Sequence, residues 1–252
     1  SLQVDISLLG ATTGTFDAVA GVPQSLPRVL RGARLLLERQ VRVQLNTLLL
    51  DLNIHQQRPM LDLALELGVY YSQVFKVSPT DSGSNSTGTH QLTSAQMTDA
   101  LILDNTPFAP REFKPGARTC SVGLSSALIS PYGVVYPCVE MRIPAGRLRD
   151  ERFSDIWQNA PIFTQLRARH TVEHLPECRV CPIFRYCEGR CAGLAWKEHG
   201  DPYGGHTLAC RHAQARYREQ HDGQAAPDTP LLARQRSRAA GIQDGAPIYL
   251  VD

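Results

Sequence analysis

Cys178-Arg-Val-Cys181-Pro-Ile-Phe-Arg-Tyr-Cys187-Glu-Gly-Arg-Cys191 is the stretch on which the reading of this chain turns. Cysteines two residues apart in one loop can reach a single metal site, because the intervening backbone turns and points both sulfurs inward. Three further thiols extend the set. Cys120 is followed by twelve residues, Gly133, four residues and Cys138, and eighteen residues separate Cys191 from Cys210. These are all seven cysteines of the chain, and residues 1–119 contain none. An odd count argues against complete disulfide pairing, and 252 residues is not the length of a small stapled secreted domain. We therefore read the thiols as reduced ligands. One zinc site takes four ligands and leaves three thiols over, whereas two four-thiolate sites need eight and are one short. Two tetranuclear iron–sulfur clusters use every cysteine, with one position supplied by another group. Thiolate-rich sites suit zinc as well, and His170, His174, His199, His206 and His212 are available to complete zinc sites. Spacing alone leaves both metals open and favours iron–sulfur only slightly.

The rest of the composition is ordinary. The chain is 42% hydrophobic with a formal net charge of +2, enough apolar material for one or two domains. No uncharged apolar run approaches the ~20 residues of a membrane span, and the balanced charge gives no reason to expect nucleic acid as a partner. The first residue is Ser1 rather than Met, which leads us to expect a piece of a longer protein.

Upstream of the cysteines the pattern alternates strands and helices. Strands are expected over Val4–Leu9, Val41–Leu49 and Val69–Val77. A loop containing Gly10, Gly14 and Gly21 should follow the first, leading to a helix capped by Ser25 with Pro27 in its first turn. A second helix carries Met60, Leu61, Ala64 and Leu67 and ends at Gly68, and a third begins at Ser94 and reaches Leu103. Strand–helix alternation implies parallel β/α units, yet three units cannot close an eight-stranded barrel. Residues 105–119 read as a linker with Pro107, Pro110 and Pro115. Ala127–Ile129 and Val134–Tyr136 flank a hairpin turn with Pro131 and Gly133 placed for it, and Ser154 can cap a short helix through Trp157. From about Arg218 the Arg/Gln/Ala/Pro-rich tail is expected to be flexible.

The seven-cysteine order resembles that of the SPASM domain, the auxiliary-cluster extension of radical S-adenosylmethionine (SAM) enzymes. Ser130-Pro-Tyr-Gly-Val-Val-Tyr-Pro-Cys138, the segment from Ala145 to Trp157, and Glu198-His-Gly-Asp201 resemble it too. Asp5-Ile-Ser7-Leu-Leu-Gly10, Phe16-Asp17, Val19-Ala-Gly21 and Leu45-Asn-Thr-Leu-Leu-Leu50 are similar to the later strands of the radical SAM barrel. The resemblance implies an α/β fold class: strands four to six of a partial (β/α)6 barrel over residues 1–105, and a cysteine-rich α+β SPASM domain over 106–217. A tail over 218–252 would follow.

It also implies two auxiliary [4Fe–4S] clusters. Cys178, Cys181, Cys187 and Cys210 would hold the outer one. Cys120, Cys138 and Cys191 would hold the inner one, leaving a position open or filled by a non-cysteine group. Ser7 would match a strand-four serine that contacts SAM in some relatives, against the plain alternative of a strand-end hydroxyl. The implied activity is a peptide or protein maturase using a 5′-deoxyadenosyl radical to abstract hydrogen from a substrate side chain. Its partners would be a peptide or protein substrate and a reductant such as ferredoxin or flavodoxin, in the cytoplasm; tetrapyrroles are a further substrate class of SPASM enzymes. A non-catalytic iron–sulfur or zinc module is the alternative.

The sequence also departs from the family. It contains no CxxxCxxC triplet for a SAM-cleaving cluster and no Gly-Gly-Glu stretch for the SAM amino group, so these residues alone are not expected to cleave SAM. SAM and a third [4Fe–4S] cluster would belong to the full-length parent. Val139 stands where sulfatase-maturing relatives place an acid, and Glu140 is expected to be a surface charge. Tyr136 and Trp157 are expected in the core and not as redox relays.

Overall fold

The computed structural model describes residues 2–78, 80, 86–104, 108–110, 112, 114, 116–118, 120–187 and 190–239. Ser1, Pro107, Pro115, much of the Ser78–Gly88 loop and the tail beyond Ala239 lie outside the described residues. The chain divides into two compact units, Ser1–Val77 with Asn85–Thr106, and Ser78–Ser84 with Pro107–Asp252.

The first unit is a three-stranded parallel sheet in the order β1 (Gln3–Ser7), β2 (Arg42–Leu48), β3 (Tyr70–Val74). Ile6 pairs with Leu45, and Leu45 in turn with Tyr71. On β2 the alternating Val43, Leu45 and Thr47 are buried. α2 (Ser25–Glu38) packs on β2, and α3 (Gln57–Leu67) on β3. Ala33 of α2 and Met60 and Ala64 of α3 are buried at 0–1% exposure, as helix-period apolar positions facing a sheet should be. α3 ends at Gly68, φ +65°, the left-handed residue its C-terminus needs. α4 (Ser94–Asp104) completes the unit.

Asn53, fully buried, ties the carboxyl ends of β1 and β2 together. Its Nδ2 donates to Leu9 O at 3.1 Å and Leu48 O at 3.0 Å, and its Oδ1 accepts from Leu50 N at 2.8 Å.

Two local expectations in this unit are corrected. The glycine-containing loop after β1 holds a helix, α1 (Thr13–Ala20), capped by Thr12, whose hydroxyl accepts from Thr15 N, and closed by Gly21 at φ +66°. Gly14 sits inside that helix, where its side-chain position opens on free space, so the glycine costs propensity without breaking the helix. Ser25 does not cap α2. Asp17 of α1 does that work from outside, its carboxylate accepting from Gln24 N at 2.7 Å, Ser25 N at 3.1 Å and Ser25 Oγ at 2.8 Å.

The second unit opens with an antiparallel sheet, β4 (Leu128–Ile129), β5 (Val134–Tyr136) and β6 (Gly146–Arg147). Gly133, φ +76°, makes the turn between the first two strands, as its position in Ser-Pro-Tyr-Gly predicts. α5 (Phe153–Asn159) and α6 (Pro161–Arg169) pack Ile156 and Phe163 against Val135. Arg152, not Ser154, occupies the N-cap position of α5. Trp157 leans on Phe163 with centroids 4.8 Å apart. α7 (Ala192–His199) and α8 (Thr207–Gln220) follow.

Past Arg218 the composition argues for an irregular tail, but α9 (Pro230–Ala239) is helical, with Leu231 and Leu232 buried. Thr229 starts it, its hydroxyl accepting from Leu232 N at 3.3 Å, and Pro230 suits a first helical position.

Candidate metal centres

Consecutive tight turns carry the central cysteines. Cys181 N bonds Cys178 O, Phe184 N bonds Cys181 O, and Cys187 N bonds Phe184 O, at 3.0–3.2 Å. Turns of the i→i+3 kind stack every third residue. Residues 178, 181, 184 and 187 therefore fall in one row, and all four line one cavity. At Cys187 the chain becomes extended (φ −89°, ψ 115°), and Cys191, four residues on, leaves that row. α8 brings Cys210 to the same cavity from its first turn.

The thiols form two neighbourhoods. Cys178, Cys181, Cys187 and Cys210 act electrostatically on one another. Cys120, Cys138 and Cys191 do the same as a separate set. Gly193 makes the second set possible: a Cβ at that position would lie 2.4 Å from the Glu140 Cβ, so the start of α7 can reach the backbone after Cys138 only without a side chain there.

Burial is the leading influence on the thiols. It pushes Cys178 and Cys210 up to about 12, with neighbouring thiols adding to the rise, and it raises Cys120, Cys138 and Cys181. Backbone N–H groups two residues on oppose it: Val122 at Cys120, Glu140 at Cys138 and Ile183 at Cys181. Such donors favour the thiolate, the form that binds metal.

The cavity around the four-thiol set encloses about 400 Å³, its mouth included. Among the described residues no three His, Cys, Asp or Glu side chains converge on a point where one metal ion would sit.

The histidines divide. His206 lines the cavity, but its Nδ1 accepts from Ala209 N at 3.3 Å. His174 bonds Thr171 Oγ1 at 2.7 Å. His170 is not a surface residue: it is 1% exposed, with Nδ1 3.9 Å from Cys120 Sγ. Burial, with the charges of Arg118 and Arg190, pulls its pKa down to about 4, so its imidazole is neutral near pH 7.

Other expected residues fall as follows. Ser7 is exposed at the carboxyl end of β1, opposite Asn46. Glu140 is not a surface charge. Its side chain is 15% exposed, ion-paired with the buried Lys197 at 3.1 Å, and it accepts from Ser78 Oγ at 2.8 Å.

Three contributors escaped the sequence reading. Phe184 shares the cysteine row, and its period-three position could have revealed it. Thr229 donates to the Cys210 thiol, and Thr-Pro at a helix start was legible. Arg190 lines the cavity and acts on Cys178 and Cys181, which nothing but its place between two cysteines could have suggested.

Residues 120–182 match the SPASM family, described as an iron–sulfur cluster-binding domain. Over these residues the chain is similar to a SPASM domain. Its relatives are radical SAM/SPASM proteins. It is 27% identical to the AdoMet-dependent heme synthase of Methanosarcina barkeri over 229 residues, covering 79% of this chain and 64% of that protein. It is 25% identical to the PqqA peptide cyclase of Ruegeria pomeroyi, covering 79% and 58%. The match thus spans less than two thirds of either relative. In fold it is similar to the solved structure of anSMEcpe with bound AdoMet, with a TM-score of 0.56 at 13% identity over 96% of this chain and 67% of that one. No helix among the described residues is long and apolar enough to cross a membrane.

Proposed function

We propose that these residues form the auxiliary-cluster part of a radical SAM/SPASM oxidoreductase, a peptide or protein maturase that modifies a substrate side chain by hydrogen abstraction. The observation that carries the reading is the sorting of seven thiols into sets of four and three around separate sites. Cys178, Cys181, Cys187 and Cys210 hold one [4Fe–4S] cluster. Cys120, Cys138 and Cys191 hold a second, whose remaining position is open to substrate or solvent or taken by a non-cysteine group. When bound, such clusters supply one-electron transfer and an iron site for ligation.

The protein's own part is positional. Backbone N–H groups steady the thiolates, and Cys120 and Cys138 pack, half-buried, against the apolar cluster of Met141, Leu166 and Leu175. The three-stranded parallel sheet is the later part of a radical SAM barrel, with Ser7 on its substrate-facing end. Ferredoxin or flavodoxin supplies electrons in the cytoplasm, and SAM with a third cluster belongs to the complete enzyme.

Anaerobic reconstitution with iron and sulfide tests this. Close to eight irons per chain and a brown protein are expected for two clusters. A colourless protein with one or two zinc ions would overturn it in favour of a zinc module. The identity to a heme synthase favours a second reading, in which the substrate is a tetrapyrrole. Titrating the loaded chain with heme separates the two: saturable change in the Soret band supports the tetrapyrrole reading, and its absence supports the peptide.

A further inference from the structure

Arg190 is 7% exposed in the wall of the four-thiol cavity. Phe184 covers one face of its guanidinium, 4.0 Å from ring centroid to Cζ. Its Nε and Nη1 are buried with no hydrogen-bond partner among the described residues. The carboxylate in the same wall, Glu177, pairs through Oε1 with Arg234 at 2.7 Å, and its Oε2, though buried without a hydrogen-bond partner among the described residues, is not bonded to Arg190. A buried guanidinium with two donors unpaired is costly, and an acceptor brought by a ligand is one way in which that cost is met. Four thiolates and the sulfides of a cluster are acceptors of the required charge, and reduction of the cluster adds one more negative charge to the chamber.

We infer that Arg190 is the built-in counter-charge of the Cys178–Cys181–Cys187–Cys210 site, a positioning residue whose N–H donors and positive charge favour the reduced cluster and so hold its potential up. The inference rests on the cluster reading above. It goes beyond it by assigning a role to a residue that is not a ligand, through the levers of net charge and hydrogen bonding to sulfur that set cluster potentials. The charge of Arg190 also acts on His170, which lies beside Cys120.

The test is an anaerobic redox titration, followed by electron paramagnetic resonance, of the reconstituted chain and of R190K, R190Q and R190M. The signal of the four-thiol site is the one that survives Cys138→Ser. R190Q and R190M are expected to disfavour its reduction at least tenfold, a fall of about 59 mV for one electron. R190K, which keeps the charge, should lie closer to wild type, and the second signal should move less. Loss of four irons in R190Q and R190M with retention in R190K also supports the role. Equal potentials in all four proteins, or equal cluster loss in all three variants, would overturn it while leaving the cluster reading intact. A wild-type chain that takes up no cluster would overturn both.

Discussion

Gly193, in the first turn of α7, presses directly on Glu140, two residues after Cys138: a methyl group there would come within 2.8 Å of the Glu140 carbonyl carbon and 2.4 Å of its Cβ. Backbone cannot yield as a flexible side chain does. Gly193→Ala should therefore cost about 1–3 kcal/mol by overpacking, and it should separate Cys191 from Cys138. The expected result of iron analysis is loss of about half the cluster content, with the four-thiol site retained. A variant with full iron and unchanged stability would show that the two segments need not touch.

The two thiol neighbourhoods predict a partition. Cys178→Ser and Cys210→Ser should each remove the same spectroscopic species, and Cys120→Ser and Cys138→Ser the other, each with a loss of about four irons per chain. Mössbauer spectra of the four variants check this. If Cys210→Ser and Cys138→Ser abolished the same species, the sorting would be wrong.

In the first unit, Asn53 satisfies three backbone groups with one side chain. Asn53→Ala should cost at least about 1–3 kcal/mol, the penalty for leaving a buried group unpaired. Asn53→Asp, which keeps the acceptor for Leu50 N but loses both donations, should not restore stability. Urea unfolding of the two variants measures both.

Glu198 binds α7 to its neighbours: its carboxylate accepts from Thr207 N at 2.8 Å on α8 and from Gln235 Nε2 at 2.7 Å on α9. Burial works to raise its pKa, but hydrogen bonds from His199 and Thr207 outweigh it and hold the carboxyl at about 2, against an ordinary 4.5. A folded-state pKa below the unfolded one stabilises the fold above pH 4.5, and that contribution drains away as pH falls from 4.5 toward about 2. Glu198 is partly exposed, so solvent screening holds the contribution to about 1–2 kcal/mol. The stability gap between wild type and Glu198→Gln should be widest at neutral pH and narrow in acid. A gap of constant size from pH 7 to pH 3 would refute the assignment.

Much of the first unit was legible because its signals are local. The alternation of Val43, Leu45 and Thr47 and the glycine at 68 act within a few residues of themselves. α1 escaped because three glycines suggest a loop, whereas Gly14 merely tolerates the helix and Gly21 ends it. The grouping of Cys178, Cys181 and Cys187 was legible by spacing, since a period of three belongs to the turns that carry them. The burial of Glu140 and His170 was not legible because distant segments confer it: Lys197 on α7 in one case, the neighbourhood of Cys120 in the other. α9 was hidden by its Arg and Gln content. Its apolar face is narrow: Leu231 and Leu232 are buried, and of the two Leu231 lines the cavity.

That last contact has a bearing on how the protein is made. Pro230 and Leu231 complete the cavity wall, and Thr229 reaches the Cys210 thiol. All seven cysteines leave the ribosome before these residues do. The chamber is thus missing one side until the residues of α9 have been made.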